Sequence, residues 1–102
     1  MLVSDYSWPE HGDRVAERAR LTWDVAVVQL PVGARITGSV IARQPFGVFF
    51  AVDEVPGALG LAEVTALPGG GELPLLSARV TGEVLGHRHE NRQIYARVTR
   101  VD

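Results

Sequence analysis

Two periods of apolar and polar residues divide the chain. Over residues 13–29 the apolar side chains fall near helical spacing, at Val15, Ala19, Trp23, Ala26 and Val27, continuing to Leu30. Arg14, Glu17, Arg18 and Asp24 fall mostly elsewhere on the same wheel. The pattern predicts one amphipathic helix over 13–29, ended by Pro31, which lacks the backbone donor a helix interior needs. Its start has two candidates. Ser7-Trp8-Pro9-Glu10 fits a capping box, with Glu three residues after Ser and Pro in the first turn. Asp13 is a rival N-cap, because Gly12 interrupts the earlier start. The β-branched run Val25-Ala26-Val27-Val28 would also suit a strand, and residues 1–7 read as a loose end.

From residue 31 onward the period changes to two. Ile36, Gly38, Val40 and Ala42 alternate with Thr37, Ser39, Ile41 and Arg43, which predicts a first strand over Ala34–Arg43. Further strands are predicted over Gly47–Val52, Ala58–Ala62, Ala78–His87 and Gln93–Val101. A helical turn or loop is expected at Glu63–Leu67. Pro68-Gly69-Gly70-Gly71 reads as a flexible loop tip and Glu90-Asn91 as a tight turn. Short strands joined by tight turns imply a small antiparallel barrel. The division is therefore residues 1–30 as tail and helix, and 31–102 as barrel.

Composition narrows this reading. A chain of 102 residues fits one domain and can bury about two thirds of its unfolded surface. There is no cysteine, which removes disulfides and Cys-ligated metal centres. The formal charge is −2 and every cation is Arg, with no Lys. Strongly basic character, the usual mark of non-specific nucleic-acid binding, is missing. The acidic excess sits in the first 30 residues, with five Asp or Glu against three Arg; beyond them the count is seven against seven. A neutral barrel can still carry a local basic stripe. No stretch approaches the roughly 20 apolar residues of a membrane span. The first residues lack the basic-then-apolar order of a signal peptide, so a cytoplasmic protein is expected.

Several motifs occur in a telling order. Val32-Gly33 is followed by Gly38-Ser39-Val40, then Phe46-Gly47-Val48-Phe49, then Gly60-Leu61-Ala62-Glu63-Val64-Thr65. Val80-Thr81-Gly82-Glu83-Val84 follows, with Arg92 before Gln93-Ile94. In this order they resemble the S1 domain of the OB-fold class, over about Val32–Val101. The resemblance implies an all-β fold: a five-stranded antiparallel OB-type Greek-key barrel, here with an N-terminal α-helical extension. It also implies single-stranded RNA as partner. Phe46 and Phe49 would form the stacking surface, and Arg92, with Arg88 and Arg43 as additions, would meet phosphate. Two positions depart from the family. Glu63 stands where a His is common, and a carboxylate there repels phosphate. The family's acidic residue before the final Arg falls on Arg88, or with a one-residue shift on His89.

The aromatic block has its own physics. Alternation sends Phe46 and Phe49 to opposite faces of a regular strand. Both face outward only if the strand bends, which Gly47 makes cheap. Stacked bases gain about 1–3 kcal/mol each on such rings; otherwise one or both rings are core, as Phe50 is expected to be. His87-x-His89 with Glu90 could share an ion, but no third strong ligand lies near, so neither metal nor cofactor is expected. Asp53 and Glu54 read as solvated turn carboxylates. No nucleophile elbow, phosphate loop or metalloprotease motif occurs, and no enzyme is expected. Trp23 is expected to pack the helix on the barrel; alternatively the helix and Trp8 form a protein-binding surface. Two functions follow: RNA binding, or a protein-interaction module on a barrel that has lost RNA binding.

Overall fold

The computed structural model describes residues 6–102. Two short helices, α1 (Gly12–Leu21) and α2 (Trp23–Gln29), precede five strands: β1 (Arg35–Gln44), β2 (Gly47–Val52), β3 (Leu59–Glu63), β4 (Arg79–Arg88) and β5 (Gln93–Val101). The strands close into a barrel in the order β1-β2-β3-β5-β4. Four of the five pairings are antiparallel; β3 and β5 run parallel, with Leu59, Gly60 and Leu61 against Gln93, Ile94 and Tyr95. The sheet is therefore mixed, not wholly antiparallel as expected. The reason is parity. Strand directions cannot alternate all the way around a closed ring of five, so one pair must be parallel.

The interior follows from the period of two. Ile36, Val40, Val48, Phe50, Val80, Val84, Ile94, Ala96 and Val98 fill the barrel. Phe50 is the largest side chain fully buried there. It fits because Gly60 faces it: a Cβ at that position would sit 2.3 Å from the Phe50 ring. A bulge between Val40 and Ala42 leaves Ile41 unpaired and helps β1 curve.

The expected single helix is broken at Thr22. Its backbone leaves helical values (φ −97°, ψ 1°), and its hydroxyl donates to the Arg18 carbonyl at 2.9 Å. A hydroxyl bonded to the carbonyl four residues back is a recognised cause of helix bending. Beyond the break, α2 lays Trp23, Ala26 and, just past its end, Leu30 against the main core. That packing keeps the β-branched run helical. Two histidines fasten it. Trp23 Nε1 donates to His89 Nδ1 at 3.1 Å, and His87 Nε2 donates to the Leu30 carbonyl at 2.7 Å.

Neither expected cap is used. α1 starts after His11, which holds a left-handed conformation (φ 59°, ψ 40°), and no side chain caps it. Ser7 instead pairs with Arg43 through two backbone hydrogen bonds of 2.8 and 3.0 Å. Position 7, expected in a loose end, is thus strapped to β1; residues 1–5 lie outside the described residues. Among the described residues, no helix is long and apolar enough to cross a membrane.

Candidate nucleic-acid interface

One outward row runs across four strands. Ala42 on β1 pairs with Phe49 on β2, Phe49 with Leu61 on β3, and Leu61 with Tyr95 on β5. Because Val48 and Phe50 point into the barrel, Phe49 points out. With Ile41 and Leu59, the row forms a second apolar cluster on the barrel exterior. Phe46 lies in the turn before β2, and its ring meets that of Phe49 edge-on at 5.8 Å between centroids. The two phenyl rings therefore share a face without the bend in β2 expected from the sequence. Gly47 serves a different purpose, close approach: a Cβ there would lie 2.2 Å from the Ala62 carbonyl oxygen.

The rings differ in access. Phe46 is 44% exposed and Phe49 only 5%. The expectation of two exposed phenyl rings holds for Phe46 and fails for Phe49, because Trp8 lies over it at 5.3 Å with the planes 31° apart. Trp8 is itself 63% exposed. The strap from Ser7 to Arg43 puts it there. The exposed rings on this face are thus Phe46 and Trp8, with Phe49 between them. Only the lone Trp8-Pro9 step outside the barrel hinted at this; the pairing of Ser7 with Arg43 leaves no pattern in the sequence.

The arginines separate into three situations. Arg88 is engaged: its guanidinium bonds Glu63 Oε1 at 2.9 Å and lies 4.4 Å above the Tyr95 ring. The hydrogen bond to Glu63, with burial adding to it, holds the Tyr95 phenol above its ordinary pKa. Arg43 points at another segment, donating to the Pro74 and Leu73 carbonyls at 2.8 and 3.1 Å. Arg92 sits in the β4–β5 turn in a left-handed conformation (φ 52°), exposed, with no hydrogen bond or ion pair among the described residues. Arg97, on β5, pairs with Glu83 at 2.5 Å.

The other sequence candidates have structural employment. His87 and His89 clamp α2. Asp53 and Glu54, expected to be merely solvated, both accept from the Thr37 hydroxyl, at 2.8 and 2.7 Å, and Asp53 also pairs with Arg79. The Arg79 hydrogen bond holds the Asp53 carboxyl below its ordinary pKa.

Beside the aromatic rings, α1 stands over the barrel exterior and leaves a cavity of about 290 Å³. Its walls include Trp8, Val15, Phe49, Leu59, Asn91 and Gln93. Phe49 pairs with Leu61, and Gln93 pairs with Leu59, so β3 lies between the aromatic side and the amide side.

No protein-family model matches the chain, and no curated protein does. In fold it is similar to a region of the apo form of Mycoplasma genitalium RNase R, with a TM-score of 0.62 at 18% identity. The match takes in 85% of this chain and 15% of that protein, so the likeness is one of fold over a small part of the larger chain.

Proposed function

We propose that this chain is a nucleic-acid-binding module of the OB type, close to the S1 domains, that holds single-stranded RNA across its β2–β3 face. The observation that carries the reading is the ring cluster there: Phe46 and Trp8, both exposed, on either side of Phe49. OB barrels bind oligonucleotides on the strand 2–3 face, and exposed rings bind bases by stacking without demanding a sequence. Arg92, unengaged at the edge of the same exterior, is the phosphate contact. Arg88 joins it only if it leaves Glu63. With so few cations, affinity is modest and its salt dependence shallow. The module binds rather than catalyses, and its setting is the cytoplasm.

An NMR titration of labelled protein with a short unstructured RNA at low salt, beside a matched single-stranded DNA, tests this. Shifts at Trp8, Phe46 and Arg92 that fade as salt rises support it. A spectrum unmoved at high RNA concentration overturns it and leaves the second reading, a protein-interaction module. One observation favours that alternative: Leu21, Val25 and Val28 stand exposed at helical spacing along the helical segment.

A further inference from the structure

From the cavity under α1 we infer that the module does more than stack bases: it takes one unpaired nucleobase, adenine by preference, into a pocket that the N-terminal segment builds against the barrel. This rests on the RNA-binding reading of the same face and deepens it.

The lining divides by chemistry. Trp8, Phe49, Val15 and Leu59 supply aromatic and aliphatic walls, and Asn91 and Gln93 supply two carboxamides. Neither amide makes a side-chain hydrogen bond to the described residues, so donors and acceptors are left for a ligand. Arg92, between them in sequence, is exposed and unengaged. Apolar walls, neutral amides and a cation outside them match one nucleotide in turn: the faces of a base, its edge and its phosphate. A cavity of about 290 Å³ lies at the small end of ligand sites, roughly 300–1,000 Å³. It has room for one base and little more.

The amides also choose among bases. A carboxamide offers a donor beside an acceptor, and two of them can meet both edges of an unpaired adenine, N6 with N7 and N6 with N1, whereas cytosine, uracil and guanine offer such a pair on the Watson–Crick edge alone and guanine N7 and O6 are matched by Arg or Lys. Among the described residues, no cation lines this cavity. The aromatic face outside the pocket remains indifferent to sequence. Preference and general affinity are therefore separable: the two amides set the first, and Phe46 and Arg92, which lie outside the pocket lining, contribute only to the second.

The test compares oligo-A, oligo-U and oligo-C of equal length, binding to the full chain at low salt and followed by NMR. Two variants accompany the natural protein. Asn91→Ala with Gln93→Ala removes the amides. Ala16→Phe fills the cavity from an exposed position on α1 that lines it and leaves the barrel interior alone. The expected result is a preference of about tenfold for oligo-A. Both variants should lose it while still binding all three oligomers at the weaker level. Equal affinity for the three oligomers in the natural protein, or a preference that survives both variants, overturns the pocket and leaves the RNA-binding face standing. Failure of every oligomer to bind the natural protein overturns the RNA-binding reading and this inference with it.

Discussion

Trp8 lies over Phe49 with ring centroids 5.3 Å apart, so a residue from outside the barrel completes the barrel's aromatic face. The two rings then carry different burdens. Phe49 is packed with Ala42 and Leu61, and Phe49→Ala should cost about 3 kcal/mol of stability. Phe46 is half exposed, and Phe46→Ala should leave the thermal midpoint nearly unchanged while weakening RNA binding by about 1–3 kcal/mol. Thermal melts paired with RNA titrations of the two single variants check this. A Phe46→Ala protein that melts early would show that ring to be a packing residue.

The contact between Trp23 and His89 makes a second prediction. The indole donor has its acceptor in His89 Nδ1, and the pair ties α2 to β4's end of the barrel. His89→Ala leaves the donor of a nearly buried Trp without that partner, which costs about 1–3 kcal/mol. Trp23 should become more mobile and its hydrogen-exchange protection should fall, while the strands keep theirs. Uniform loss of protection would mean that α2 and the barrel unfold as one unit.

Much of this was legible in the sequence, and the reasons differ by element. All five strands stand within a few residues of where alternation placed them, because inside and outside of a narrow barrel impose a strict period of two. Trp23 does pack the helical segment on the core, as its place in the apolar stripe required. The break at Thr22 was not legible, since one hydroxyl turned back on a carbonyl leaves the apolar spacing intact. The parallel β3–β5 pair was not legible either, because it follows from closure and not from any strand's own residues. The burial of Phe49 and the position of Trp8 depend on contacts between residues 41 apart, which no local pattern encodes. Ser7 misled for a related reason: a capping-box spelling was present, but its backbone found a better partner in Arg43.

Acid should weaken the protein in part through Asp53. Its folded pKa is lowered, chiefly by the hydrogen bond from Arg79 and then by that from Thr37. A lowered carboxylate contributes stability above its unfolded value, near 3.9, and loses it as pH falls further through the folded value. The pair is well exposed, so the contribution is about 1 kcal/mol at most. Urea midpoints at neutral pH and near pH 3 should converge for Asp53→Asn relative to the natural protein. A variant with the same acid slope as its parent would remove Asp53 from the account.

On the proposed RNA-binding reading, Glu63 restrains binding on this face. It pairs with Arg88 at 2.9 Å and puts a carboxylate beside the aromatic cluster, where it repels phosphate. Glu63→Gln keeps the shape, frees the Arg88 guanidinium and removes the repulsion. RNA affinity should rise, and the slope of log affinity against log salt should steepen by about one, the signature of one added phosphate contact. Stability at neutral pH should change by under about 1 kcal/mol, because the pair is partly exposed. The same substitution has an independent reporter in Tyr95, whose phenol Glu63 holds above its ordinary value. A raised folded pKa stabilises below the unfolded value, about 10, and that stability is lost as pH rises through the folded value. In Glu63→Gln the Tyr95 titration, followed by its ring resonances, should move down and the alkaline loss of stability should shrink. A downward move in Tyr95 with no gain in RNA affinity would show that Arg88, though released, does not reach the nucleic acid.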